Sequence, residues 1–113
     1  MIRNLSRSTV IATNTQIADD SPRRMKGLLG RIDFPQGEAL VITQCQSIHM
    51  FFMKFSIDVI FCDREDKVVG LCKNIKPFCL SPIFFKALYA IEVPSGSIVL
   101  SKTQIGDQVD IKA

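Results

Sequence analysis

The sequence has no tryptophan, a single histidine, and no apolar run long enough to cross a membrane. Its most apolar stretch, from Ile48 to Cys62, contains the polar side chains His49, Lys54 and Asp58. A bilayer-spanning helix needs about 20 predominantly apolar residues, so we assign this stretch to a protein core and expect no membrane insertion. The N-terminal residues show no signal-peptide pattern, and we therefore expect a cytoplasmic protein.

Closely spaced cysteine pairs are also missing. The four cysteines, at positions 45, 62, 72 and 79, lack the two-residue spacer of a zinc knuckle or a redox dithiol. We therefore predict reduced thiols, although the cysteine count alone leaves a disulfide open. Cys45, His49, Met50 and Met53 are soft donors that would suit Cu(I). Sulfur is ordinary filling in a phenylalanine-rich core, so we predict no metal and no other cofactor.

Sequence motifs for phosphate binding and for a nucleophilic serine are absent. The net charge is +3, and many of the basic residues lie in the first third of the chain. No aromatic interleaving or nucleic-acid motif accompanies them, which argues against a nucleic-acid partner. We interpret the basic residues as a solvated face, with an anion-attracting patch as the alternative.

What the sequence does contain is apolar volume in short segments. A chain of 113 residues with 47% hydrophobic content and eight phenylalanines is expected to form one domain, residues 1–113, with its own core. Apolar and β-branched segments separated by turns predict a mainly β fold, a small β-sandwich or distorted barrel of six or seven mostly antiparallel strands. The clearest predicted strands are 8–13, 38–43, 48–55, 57–62, 67–73, 87–93 and 108–112, while 97–103 fits a strand or a helical turn.

The interpretation of three segments depends on local signals. Ser21 and Pro22 form a helix start, which predicts one short helix near residues 22–29. The segment 48–55 is apolar on both faces, which predicts a central strand. Residues 74–87 contain two prolines and several bulky apolar side chains, among them Phe78, Ile83, Phe84 and Phe85, so we expect an irregular loop that lies on the core as a lid.

Four segments carry a family resemblance. Residues 24–31, 48–61, 90–96 and 105–107 resemble, in the same order, motifs of the domain of unknown function 192 family. The resemblance covers roughly residues 8–112. It implies a compact β-sandwich or distorted barrel, often exported, with no agreed biochemical activity.

The sequence departs from many relatives at two places. Phe55-Ser56 stands where many have Asn-Thr. Phe78-Cys79 replaces a Trp-Arg pair, which removes a cation from the long loop. The absence of a leader pattern is a third difference from relatives that are exported.

The polar residues in apolar segments are the candidates for function. His49 carries the imidazole, the group here that titrates near neutrality. Asp58 lies between apolar residues, and a buried carboxylate needs hydrogen bonds or a cation. Its structural role would be to accept backbone N–H bonds or to pair with Arg24 or Arg31. Glu92 presents the same alternatives.

The leading hypothesis is a non-enzymatic binding domain, with a pocket for a small or anionic ligand between the central strands and the loop 74–87. The candidate ligand-binding residues are Arg24, Arg31, His49, Met53, Asp58 and Glu92. The first alternative is an enzyme in which His49 and Asp58 or Glu92 act as acid and base. The second is a protein–protein interaction module that uses the basic N-terminal third or an exposed phenylalanine patch. We expect a monomer or weak dimer.

Overall fold

The computed structural model describes residues 1–112, and over this range the chain is mainly β, as predicted. Eight strands and two short helices are formed within it. The strands are β1 Ile2–Asn4, β2 Thr9–Ala12, β3 Asn14–Ala18, β4 Glu38–Thr43, β5 Ile57–Cys62, β6 Val68–Ile75, β7 Tyr89–Pro94 and β8 Val109–Ile111. The helices are α1 Ser21–Lys26 and α2 Ser97–Ser101.

The strands form two separate sheets, and the described chain closes no barrel. The smaller sheet has the order β2-β1-β8 and the larger one β3-β4-β7-β5-β6. All pairs are antiparallel except β3 with β4. Every residue of β5 and β7 is buried, which explains why both are apolar on both faces apart from one carboxylate each, Asp58 and Glu92.

The two faces of the five-stranded sheet are covered differently. One face, here called the sandwich face, packs against the three-stranded sheet and α2 through Val41, Ile60 and Ile91. The opposite face, here called the covered face, carries Ile42 and Val59 and packs under irregular chain. The covering comes from the chain that follows α1, with Leu28, Leu29 and Phe34, and from residues 45–55 and 76–88.

Helix α1 begins and ends earlier than predicted. The cap is Asp20 rather than Ser21, because the Asp20 carboxylate accepts from the Arg23 amide at 2.9 Å. The helix stops at Gly27, which has φ 49° and ψ −126°, a backbone conformation that suits glycine. The segment 97–103, for which strand and helical turn were both open, contains α2. Within residues 1–112, neither helix is long and apolar enough to cross a membrane.

The predicted central strand 48–55 is wrong. Its backbone pairs with neither sheet and forms a single bridge, from His49 to Leu80. Met50 is buried, whereas Phe51 and Phe52 turn outward to solvent, so the segment is not covered on both sides. The apolar pattern was correct for burial of part of the segment, but β7 takes the central position.

Two strands were missed and the lid differs from expectation. β1 (Ile-Arg-Asn) and β3 (Asn-Thr-Gln-Ile-Ala) are short, contain consecutive polar residues and show no strand pattern of their own. They are strands because β1 pairs with β2 and β8 and β3 pairs with β4. The loop 74–87 inserts Phe84 into the core, where its ring lies 4.6 Å from that of Phe61. The side chains of Phe78, Ile83 and Phe85 are exposed instead.

Candidate functional site

A carboxylate stands in the middle of the larger sheet. Glu92 belongs to the central strand β7 and is paired with Leu40 of β4 and with Val59 of β5. Because side chains alternate along a strand, Ile91 and Val93 enter the sandwich core while Glu92 points to the covered face. An acidic group therefore lies on the floor of an otherwise apolar layer.

Glu92 is buried without a partner. Its side chain is 7% exposed, and within residues 1–112 its carboxylate takes part in no hydrogen bond or ion pair. Burial removes water from the charged form and raises the pKa of Glu92 from 4.5 to about 7. The group therefore changes its charge close to neutral pH.

The carboxylate faces a cavity of about 110 Å³. Its walls are apolar side chains of the covered face and of the chain that packs over that face. They include Leu28, Ile42, Ile48, Met50 and Met53. Gly27 forms part of the roof, and a Cβ at this position would lie 4.0 Å from Oε1 of Glu92. A cavity volume of about 10–15 Å³ is enough for one water molecule, so this cavity accommodates several waters or a compact ligand.

The cavity mouth carries polar and basic side chains. Lys26, Ser47 and His49 contribute to the lining and are exposed, and Arg24 contributes as a half-buried side chain. The Arg24 guanidinium contacts two hydroxyls, those of Ser21 at 3.3 Å and Thr43 at 3.4 Å. It forms no ion pair with any acidic group of the described chain. A cation is thus available at the entrance and a carboxylate at the floor.

His49 lies at the edge of this cavity, with its ring centroid 5.1 Å from that of Phe51. Across residues 1–112 its imidazole makes no hydrogen bond to Asp58 or Glu92, so the geometry contains no direct acid–base pair. Met53, also predicted, is buried in the cavity wall.

Asp58 lies on the other face of the sheet. In the β5–β7 pair it is opposite Val93, the residue that follows Glu92, so its side chain and that of Glu92 point to opposite faces. Its carboxylate is buried and accepts three backbone N–H groups, from Asn74 at 2.7 Å, Ile98 at 2.9 Å and Gly96 at 3.1 Å. These contacts fasten β6 and the start of α2 to β5, which is a structural role.

Arg31 also lies outside the cavity lining. Its guanidinium pairs with the Glu38 carboxylate at 2.8 Å and lies 5.5 Å from the centre of the Phe34 ring. It contributes to a shallower groove of about 490 Å³ along β3, on the other side of Gly27. The structure therefore brings together four of the six predicted residues, namely Arg24, His49, Met53 and Glu92.

The four soft donors of the sequence all line the cavity as well. Among residues 1–112, however, no three histidine, cysteine or acidic side chains are close enough to hold a metal ion. The Cys45 thiol is directed to the Ser47 carbonyl at 3.1 Å, and burial raises its pKa, which makes it a poor nucleophile. Gly27 and Lys26 also line the cavity, and the sequence did not indicate either of them as a site residue.

Comparison with known proteins places this arrangement in a family. The model of the domain of unknown function 192 family, described as "Uncharacterized ACR", matches residues 3–111. The chain belongs to this family. It is similar to the UPF0127 protein of Thermococcus sibiricus, at 34% identity over 97% of this chain and 73% of that protein. The UPF0127 protein of Pyrococcus abyssi is also 34% identical, over 97% of this chain and 96% of its own length.

Two crystal structures share the fold. A protein of unknown function from Novosphingobium aromaticivorans superposes with a TM-score of 0.78 at 20% identity, over 86% of this chain and 74% of that one. A candidate transcription regulator from Sinorhizobium meliloti gives 0.75 at 17% identity, over 85% and 79%. Three of the segments that resemble the family, 24–31, 48–61 and 90–96, contribute residues to the Glu92 cavity.

Proposed function

We propose that this chain is a small binding domain whose ligand presents an N–H donor, preferably a protonated amine, to Glu92. The observation that carries the proposal is the buried carboxylate without a partner on the floor of a cavity. A buried charge is destabilising unless it is paired, and an ammonium group that enters would supply the missing partner. The apolar walls suit a ligand with a short hydrocarbon body.

The mouth supports a second recognition element. Arg24 is half-buried and Lys26 is exposed at the entrance, and neither forms an ion pair within the described chain. A ligand with a carboxylate would find its counter-charge at this point. We therefore propose a compact zwitterion with an apolar body, and an apolar α-amino acid has this chemistry.

The experiment compares three related molecules. Leucine carries both charges, isoamylamine lacks the carboxylate and isocaproate lacks the amine. Binding to the purified chain is measured by calorimetry at pH 8, together with the shift in thermal midpoint. We expect leucine to bind most tightly because, of the three molecules, it alone offers both an ammonium group to Glu92 and a carboxylate to Arg24.

Two variants assign each charge to one side chain. Glu92→Gln is expected to weaken the binding of leucine and isoamylamine roughly tenfold or more, because the glutamine oxygen still accepts a hydrogen bond but carries no charge to pair with the ammonium. Arg24→Gln is expected to weaken leucine and isocaproate but to leave isoamylamine unchanged. The exposed hairpin-turn residues Glu65 and Arg64 provide matched controls, Glu65→Gln and Arg64→Gln. Equal affinities in the wild type and Glu92→Gln, or no response to any of the three molecules, would contradict the proposal.

A reducing compartment is part of the same proposal. All four cysteines are free thiols in the structure, and burial raises the pKa of Cys62 to about 12, which keeps it protonated. Free buried thiols are typical of cytoplasmic proteins. The test is to add an alkylating reagent to intact cells, purify the protein, and determine which cysteines are alkylated and which form disulfides. Alkylated cysteines support a reducing compartment, and disulfides contradict it.

A further inference from the structure

Two irregular segments form a ribbon outside both sheets. Residues 46–52 and 78–85, here called the aromatic ribbon, run antiparallel and share backbone hydrogen bonds. The Met50 amide donates to the Cys79 carbonyl at 2.8 Å, and the Met50 carbonyl accepts from the Phe78 amide at 2.7 Å. These bonds fix which side chains point into the protein and which point out.

The outer side of the aromatic ribbon is apolar. Phe52 is 75% exposed, Phe78 63% and Phe85 79%, and Leu80 and Ile83 are exposed beside them. The rings of Phe52 and Phe78 meet edge to face, with centroids 6.0 Å apart. The inner side carries the buried residues of the cavity wall, so the outward rings add little to the core.

The backbone holds two of these rings outward in an unfavourable conformation. Phe52 has φ 63° and Phe78 has φ 65°, values that are uncommon for bulky residues. Such left-handed positions are destabilising, and they persist where the surrounding structure imposes them. The exposure of these rings is therefore built into the ribbon.

Lysines flank the two segments of the ribbon in the sequence, and the same stretches contain no acidic residue. Lys54, Lys76 and Lys86 are exposed, whereas residues 45–56 and 76–88 contain no aspartate or glutamate. Protein–protein interfaces are enriched in aromatic residues but depleted in lysine. At a membrane surface, in contrast, lysine reaches anionic headgroups while aromatic rings enter the boundary below them.

We propose that the aromatic ribbon docks the protein onto an anionic lipid surface. The phenyl rings enter the boundary between headgroups and acyl chains, and the three lysines contact the headgroup charges. This is adsorption at the interface and does not involve a membrane-spanning segment. The proposal is independent of the ligand proposed for Glu92.

Vesicle flotation with the full chain tests the proposal. Vesicles of phosphatidylcholine alone are compared with vesicles that also contain phosphatidylserine, at low and high salt. We expect co-flotation with the mixed vesicles, a loss of binding at high salt, and little binding to phosphatidylcholine alone. Replacing Lys54, Lys76 and Lys86 by glutamine is expected to reduce binding roughly 100-fold, since each lysine near the surface contributes about fivefold.

The ring contribution needs a matched control. Phe52→Ser with Phe78→Ser removes two exposed rings of the ribbon and is expected to reduce binding at least tenfold. Val99→Ser with Leu100→Ser removes two exposed apolar side chains of α2 and is expected to bind like the wild type. Circular dichroism confirms that each variant is folded.

Three outcomes would overturn the proposal. The first is equal binding to the two vesicle types, and the second is wild-type binding by the Phe52 and Phe78 variant. The third is no flotation with mixed vesicles by the folded wild type. If the ribbon instead docks a second copy of the chain, the third outcome would be accompanied by self-association in sedimentation equilibrium. The ring substitutions would then abolish that self-association.

Discussion

Replacing Glu92 by glutamine should make the stability of the protein less dependent on pH. Glu92 is 7% exposed and unpaired within residues 1–112, and burial raises its pKa from 4.5 to about 7. Glutamine has nearly the same shape as protonated glutamic acid but cannot ionise. The substitution therefore removes the charge while retaining the packing of the side chain.

The sign and size follow from proton binding. Below pH 4.5 the carboxyl is protonated in both the folded and the unfolded chain, so its ionisation has no effect on folding. As the pH rises from 4.5 to about 7, the unfolded chain releases the proton while the folded chain keeps it, and folding becomes less favourable. A tenfold difference in proton affinity is about 1.4 kcal/mol, so the full effect is about 3 kcal/mol.

Urea unfolding of the wild type and Glu92→Gln between pH 4 and pH 9 measures this effect. We expect the variant to gain about 3 kcal/mol relative to the wild type between pH 4 and pH 8. In thermal scans the corresponding gain in midpoint is on the order of 10 °C for a domain of this size. Glu65→Gln, in an exposed turn, serves as the control. Parallel stability curves for the wild type and Glu92→Gln would refute the reasoning, because they would mean that the carboxyl is solvated in the folded state.

Three further outcomes are expected. Isoamylamine should bind more tightly at pH 8 than at pH 6, because the Glu92 carboxyl ionises with a pKa of about 7; calorimetry at the two pH values checks this, and a flat profile argues against Glu92 as its partner. Asp58→Ala should destabilise the fold by about 3 kcal/mol or more in urea unfolding, because three backbone N–H groups lose their acceptor; a change below 1 kcal/mol would show that water replaces the carboxylate. Gly70→Ala should lower the free energy of unfolding by about 1–3 kcal/mol in the same assay, because the added Cβ would lie 2.4 Å from the Phe84 ring. Adding Phe84→Leu should restore part of this free energy, and no recovery would mean that the strain has another source.

The strands that the sequence predicted best are those whose environment is uniform along their length. β5 and β7 are buried on both faces, so their apolar runs leave little choice of structure. The segment 48–55 has a similar composition but a mixed environment, with Met50 inside and Phe52 outside. Its partner is the loop 78–84, which has no strand pattern of its own, so only the tertiary structure could reveal the pairing.

The sequence indicated which types of residue the candidate site contains, but not which individual residues come together there. Asp58 and Glu92 have the same signal in the sequence, a carboxylate inside an apolar strand. The register of β5 with β7 separates them, because Asp58 is opposite Val93 and Glu92 is opposite Val59. Neighbouring positions of a strand point to opposite faces, so one acid enters the sandwich core and the other the cavity. Register depends on pairing between distant segments, which a single sequence does not specify.

The two carboxylates differ in whether their burial is compensated, and this difference supports the role proposed for Glu92. Asp58 is surrounded by three amide donors that restore the hydrogen bonds it loses on leaving water. Glu92 is slightly less buried, 7% exposed against 1% for Asp58, but has no such donors within the described chain, and at neutral pH its burial opposes folding. An aliphatic side chain would fill the same position without that cost. The cavity in front of Glu92 gives a ligand access to the unpaired carboxylate. A bound ammonium group would supply the missing partner and would therefore stabilise the folded complex.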